Sequence, residues 1–184
     1  NIKEISRMLE DYNIDKNVEM TIKDIADRIY YYTSGQPFLV SKLAKIIDNK
    51  ILPYKDKKDW NVEDVDNSVK LLLMQNNTNF ESLIKNLESN NQLYKLVKDI
   101  ILEGKTISYN QDNPLIEKGI IYGIFKNEEG FLKIHNRIYE QRIYNYMISK
   151  IETYVNEEMY NIRSNFISKS GKLNIRKVLI KFQQ

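Results

Sequence analysis

A mainly α protein with one short β-hairpin is what this sequence predicts, on three observations. Apolar residues recur at three- and four-residue spacing along most of the chain. Asn, Gly and Pro stand where those stretches begin and end. Only at residues 124–134 do short β-like runs flank a turn that contains glycine. The 184 residues are 42% hydrophobic and 29% charged, which suits a folded chain with a real core and not a disordered one.

The elements follow in order. Ile2, Ile5, Leu9 and Tyr12 form one helical stripe, with Glu4 in its first turn, and residues 13–20 read as a polar break. Thr21 with Asp24 three residues on predicts a capped start for a second helix, whose stripe is Ile22, Ile25, Ile29 and Tyr32. Thr33-Ser34-Gly35 ends it, with Gly35 free to turn left-handed. Pro37 suits the first turn of a third helix, because its missing N–H has no intrahelical partner to lose. Leu39, Leu43, Ile46, Ile47 and Ile51 are the buried face of that helix, and Pro53 is expected to stop it. A charged loop leads to Asn61, the cap of a fourth helix through Val65, Val69, Leu72 and Leu73. Phe80, Leu83, Ile84 and Leu87 mark a fifth, and Leu93 to Leu102 a sixth, with Gly104 after it. Asp112, Asn113 and Pro114 then start a short helix that Gly123 ends. Ile124–Lys126 and Phe131–Ile134 flank the turn 127–130, and Asn136 starts a further helix through Tyr139, Ile143 and Tyr146. Three helices followed by a hairpin are the order of a winged helix, expected at about 77–135. Residues 154–162 can prolong the last helix; Ser168–Gly171 reads as a break, and Ile175, Val178, Leu179 and Phe182 as one more helix.

Composition excludes several kinds of chemistry. With no cysteine there are no disulfides, thiolate metal sites or cysteine nucleophiles. The single His135 removes a His-rich metal site and any mechanism that needs two imidazoles. Twenty-eight basic residues stand against 25 acidic ones, too even a balance to imply nucleic acid by itself. No apolar run reaches the ~18 residues of a membrane span, so no membrane partner is expected. Asn1 follows no signal-peptide pattern, which suggests a cytoplasmic piece of something longer.

The most specific stretch is Tyr30-Tyr31-Tyr32-Thr33-Ser34-Gly35-Gln36-Pro37-Phe38-Leu39-Val40. It resembles the Gly-x-Pro segment that opens a lid helix in bacterial AAA-like, STAND-type ATP-binding proteins of the clostridial kind. Two later stretches, Asp112–Ile116 through Gly119–Phe125 and Ile134–Tyr144, resemble the winged-helix core of that group and its conclusion. The Lys-, Asn-, Ile- and Tyr-rich composition is the usage of a low-GC bacterium. The resemblance implies lid helices over 1–75, a winged helix and supporting helix over 76–150, and a helical extension over 151–184 towards a further domain. It implies that Gly35, Gln36 and Pro37 lie beside nucleotide in the full protein, with Arg28 as a candidate lid arginine. ATP and Mg would belong to the parent protein, whose ATPase core would precede Asn1 and would be this module's first partner. Nothing in this chain matches a phosphate loop: Ser170-Gly171-Lys172 has Phe166 where the first glycine belongs and Leu173 where Ser or Thr belongs. The implied role is therefore non-catalytic, coupling nucleotide state to domain arrangement, with no cofactor or metal held here and contacts to other protein domains.

The alternative is an independent DNA-binding winged helix. Its contacts would be Lys118, Lys126, Lys133 and Arg137, but Glu117, Glu128 and Glu129 leave residues 113–137 at only +1. Lys42, Lys45, Lys50, Lys55, Lys57 and Lys58 form a second basic cluster, diluted by Asp48, Asp56 and Asp59; a solvated face is its simpler reading. Glu19, Asp24 and Asp27 read as an exposed acidic face, and His135 as a structural residue.

Overall fold

The structure, a computed structural model, describes residues 1–166, with side chains described as far as Tyr154. The expected break at Ser168–Gly171 and the last expected helix lie outside the described residues. The chain divides into two compact units, Asn1–Tyr144 and a second that starts at Asn145. The fold is mainly helical with one two-stranded antiparallel hairpin, as the spacing predicts.

The first unit begins with α1 (Ile2–Lys16) and α2 (Ile22–Thr33). The Asn1 carboxamide caps α1 by accepting from the Glu4 backbone N–H at 3.1 Å. Helix α1 runs four residues into the expected polar break and stops at Asn17, which is left-handed at φ 51°. Thr21 stands at the start of α2 but makes no side-chain cap bond, so the expected capping box there is absent. Helix α3 (Pro37–Ile46) does open on Pro37. Pro53 does not stop the helical path as expected: α3 loosens into a π-helical turn over Ile47–Ile51, and Pro53 sits within a 3-10 turn over Leu52–Tyr54. Lys58 Nζ braces this turn, donating at 2.7 Å to the Leu52 carbonyl, which also accepts from Lys55 N–H, and at 2.6 Å to the Lys55 carbonyl. Helix α4 (Val62–Leu73) has the capping box that α2 lacks, formed by Asn61 and Asp64. Helix α1 packs on α2, and α2, α3 and α4 pack on one another. Ile5, Leu9, Ile25, Ile29, Ile47, Trp60 and Val65 fill the space between.

Helices α5 (Thr78–Glu88) and α6 (Asn91–Ile101) are each capped by an asparagine, Asn77 and Asn90. Helix α7 (Pro114–Ile121) is capped by Asn113, with Pro114 at its first position. Strands β1 (Phe125–Glu128) and β2 (Phe131–Ile134) pair in register Phe125↔Ile134 through Glu128↔Phe131. Asn127 and Glu128 are thus strand residues, not turn residues; the turn is the two-residue Glu129-Gly130, with φ 53° and 82°. Two positive φ values match the right-handed twist of a tight hairpin. A short extended segment absent from the sequence reading borders β2 on its other side: Leu132 N–H donates to Ile107 at 2.8 Å, and Tyr109 N–H to Gly130 at 2.9 Å.

Helix α8 (Arg137–Phe166) starts in the first unit and continues into the second. In the second unit Tyr154 is exposed. No helix among the described residues is long and apolar enough to cross a membrane.

Gly119 shows how closely α7 meets the hairpin. A Cβ there would lie 2.2 Å from the Phe125 ring and 3.3 Å from Leu93 Cδ1, and Phe125 is buried. Gly119→Ala should therefore lower the urea midpoint, because an overpacking cost of about 1–3 kcal/mol exceeds the ~1 kcal/mol helix-propensity gain. Adding Phe125→Leu should recover part of the loss. A raised midpoint for Gly119→Ala alone would contradict this packing.

Candidate functional site at the Gly35–Pro37 turn

The turn between α2 and α3 is built by local hydrogen bonds. Thr33 Oγ1, buried, donates to the Ile29 carbonyl at 2.7 Å and accepts from Gly35 N–H at 3.1 Å. Ser34 and Gly35 are both left-handed, at φ 49° and 74°. Any side chain at position 35 would be strained by that φ and would also meet the Tyr30 ring at 3.2 Å. The turn leaves Pro37 exposed and points the Gln36 carboxamide inward.

Gln36 meets the start of α8, and a single constraint orders the whole contact. The backbone N–H of Tyr139 can only donate, so Asn136 Oδ1 must face it, at 2.9 Å, as the cap of α8. Asn136 Nδ2 is then turned outward and donates to Gln36 Oε1 at 2.9 Å. Gln36 Nε2 therefore donates to the Tyr139 hydroxyl at 2.8 Å, and that hydroxyl donates in turn to Asn79 Oδ1 at 2.6 Å. Asn136 is 2% exposed and Tyr139 4%, so each bond removed would leave a buried polar group at a cost of about 1–3 kcal/mol. Burial pushes the Tyr139 hydroxyl up, which keeps its proton in place to donate. Two other contacts reinforce the junction. The Tyr139 ring meets Phe80 edge-on at 6.4 Å, and Arg142 Nη1 donates to the Leu73 carbonyl at 2.8 Å.

Arg28 lies one turn before the tyrosines and is held by Asp66. Its Nε and Nη2 donate to the two carboxylate oxygens at 2.7 and 2.9 Å, a bidentate pair. The pair lowers the Asp66 pKa and raises that of Arg28. Both partners keep about a third of their surface exposed, so the pair orients α2 on α4 more than it stabilises the fold. The Tyr31 ring is flanked by two guanidiniums, Arg28 at 5.2 Å and Arg137 at 4.3 Å. Tyr31 is exposed and Tyr32 is partly buried, since consecutive helical residues cannot share one face.

The other basic candidates are dispersed. Lys126 pairs with Glu128 at 2.7 Å, two residues along β1, Lys118 lies over the Tyr122 ring at 5.9 Å, and Lys133 is exposed on β2. Lys55 and Lys58 of the second basic cluster work as local clips; Lys55 Nζ donates to Asp64 at 2.6 Å and to the Asp59 carbonyl at 2.8 Å. Between α6 and the start of α7 lies an open groove of about 520 Å³, bordered by Lys95, Leu96, Asp99 and Pro114. Among the described residues no three acidic or imidazole side chains gather closely enough to hold a metal ion.

Asn79, Asn136 and Tyr139 are the partners that reasoning from spacing missed. Asn136 was legible as a helix start and Tyr139 as an apolar-stripe residue, but nothing local ties either to Gln36. No family model, curated protein or solved structure matches this chain.

His135 adds a pH dependence. Asn136 Nδ2, a donor, stands 3.4 Å from His135 Nδ1, so that nitrogen has to be the unprotonated one. Burial first, and Lys126 second, lower the His135 pKa below its ordinary 6.5. The unfolded chain then takes up the proton at a higher pH than the folded one. Stability should be unaffected by His135 above pH 6.5 and should fall as pH drops from there through the folded value. Melting temperatures between pH 7.5 and 5.5 should decline for the native sequence and decline less for His135→Gln. Equal slopes would show that folding leaves the His135 pKa at its ordinary value.

Proposed function

We propose that this chain is the lid and winged-helix part of an AAA-like, STAND-type ATP-binding protein, a non-catalytic module that passes nucleotide state on to the arrangement of neighbouring domains. The reading starts from the resemblance of the Gly35-Gln36-Pro37 stretch. One observation carries it further: the side chain at the centre of that stretch is bonded directly to the first turn of α8. A turn that senses a ligand needs a path by which its position is felt elsewhere, and Gln36 supplies one. Helices α5, α6 and α7, the hairpin and the bordering segment at 107–109 are parts consistent with a winged helix.

ATP and Mg would be held by an ATPase core of the same polypeptide. This module would contribute the exposed Pro37 face and the close backbone at Gly35. Arg28 is a weaker candidate for phosphate contact, since Asp66 occupies the Nε–Nη2 edge of its guanidinium. The DNA-binding alternative gains little support: Arg137 stacks on Tyr31 and Lys126 is paired with Glu128. A contact with another protein domain is the role better suited to the mixed surface of α7, where Glu117 and Ile121 are exposed.

The test uses the protein that carries this module together with its phosphate loop. Pro37→Glu should weaken ATP binding about tenfold or more by titration calorimetry, because a buried carboxylate beside the base is unfavourable. Unchanged affinity would reject nucleotide proximity. Salt-dependent DNA binding by residues 1–184 alone would favour the alternative.

A further inference from the structure

The resemblance implies a module boundary near residue 75, and a boundary between modules is where a hinge would be placed. Contacts across that boundary contradict a hinge. Tyr139 bonds Gln36 on one side and Asn79 on the other. Arg142 bonds the Leu73 carbonyl and lies 5.1 Å over the Phe80 ring. Arg137 stacks on Tyr31. Residues 1–144 also form a single compact unit. The first two turns of α8 thus hold the end of α2, the start of α3, the end of α4 and the start of α5.

We infer that residues 1–144 move as one body, clamped by the hydrogen-bond chain Asn136→Gln36→Tyr139→Asn79, with no hinge near residue 75. The chain is directional. Its first member is oriented by a backbone N–H that cannot reverse, so Gln36 cannot flip its carboxamide without setting donor against donor at Asn136. Its members on either side of Gln36, Asn136 and Tyr139, are both buried, and a small withdrawal of the 34–37 turn would take Gln36 from both. Partial separation is therefore disfavoured, and the two halves part together or not at all. This inference does not depend on nucleotide binding and would hold if that reading failed.

The test is equilibrium urea unfolding of the 184-residue chain, with two readouts. Fluorescence of Trp60, the chain's one tryptophan and buried among α1–α4, reports one half. Hydrogen exchange of α5–α7 peptides at each urea concentration reports the other. The two midpoints should coincide. Gln36→Leu and Asn79→Ala, which touch different atoms but share Tyr139, should be non-additive: the double variant should lose less midpoint than the two single losses together. In a Tyr139→Phe background, which keeps the ring on Phe80, the same pair should become additive. Separate midpoints in the native sequence would overturn the single body. Additivity in the native background would overturn the clamp. If Gln36→Leu does not fold, Gln36→Glu takes its place; it keeps the acceptor facing Asn136 but removes the donor to Tyr139, and the same non-additivity is expected.

Discussion

The N-terminal cap of α8 is the constraint on which the arrangement of the first unit depends. A helix leaves its first N–H groups without partners, and Asn136 answers one of them at Tyr139. That local necessity orients the Asn136 amide, and the orientation then passes outward through Gln36 and Tyr139 to Asn79. The same turn of helix carries Arg137 to Tyr31, and the next carries Arg142 to Leu73. Apolar burial holds the helices together on either side, but it is non-directional. The polar chain selects the arrangement in which the buried Asn136 and Tyr139 find their partners.

Residues 30–40 and 134–144 are about a hundred residues apart in the chain and meet side chain to side chain. Each carries one half of the contact: Gln36 from the first, Asn136 and Tyr139 from the second. The exposed Pro37 and the strained left-handed pair at Ser34 and Gly35 lie at one end of this contact. The proposed function, in which the turn senses and α8 responds, draws on that proximity. Of the basic candidates, Lys118, Lys126 and Arg137 are each engaged singly, on a ring or on a neighbouring carboxylate.

Most of the secondary structure was legible because its causes are local. Asn61, Asn77, Asn90 and Asn113 each cap the helix that follows, and Pro37 and Pro114 each open one. The misreadings have local causes as well. The break after Tyr12 was inferred from polarity, yet residues 13–16 continue the helix on solvent-facing positions. Thr21 has the right residue type for a cap but the wrong backbone angles to use it. Pro53 was read as a stop, but a 3-10 turn accepts proline early, and Lys58 donates to the Leu52 carbonyl that closes the turn. Asn127 and Glu128 looked like turn residues until the register placed them in β1.

What the sequence determined alone is the class of fold, the order of its elements and the position of the Gly35–Pro37 turn. Periodicity, capping and backbone restriction act within a few residues and leave their mark in the order of amino acids. What only the tertiary structure decided is who faces whom: that Gln36 reaches Asn136 and Tyr139, that Asn79 ends the chain, that Arg28 is held by Asp66, and that Gly119 is small because Phe125 lies against it. A glutamine or an arginine is compatible with many partners at long range. Only the packed chain brings one donor to one acceptor and excludes the water that would otherwise serve either.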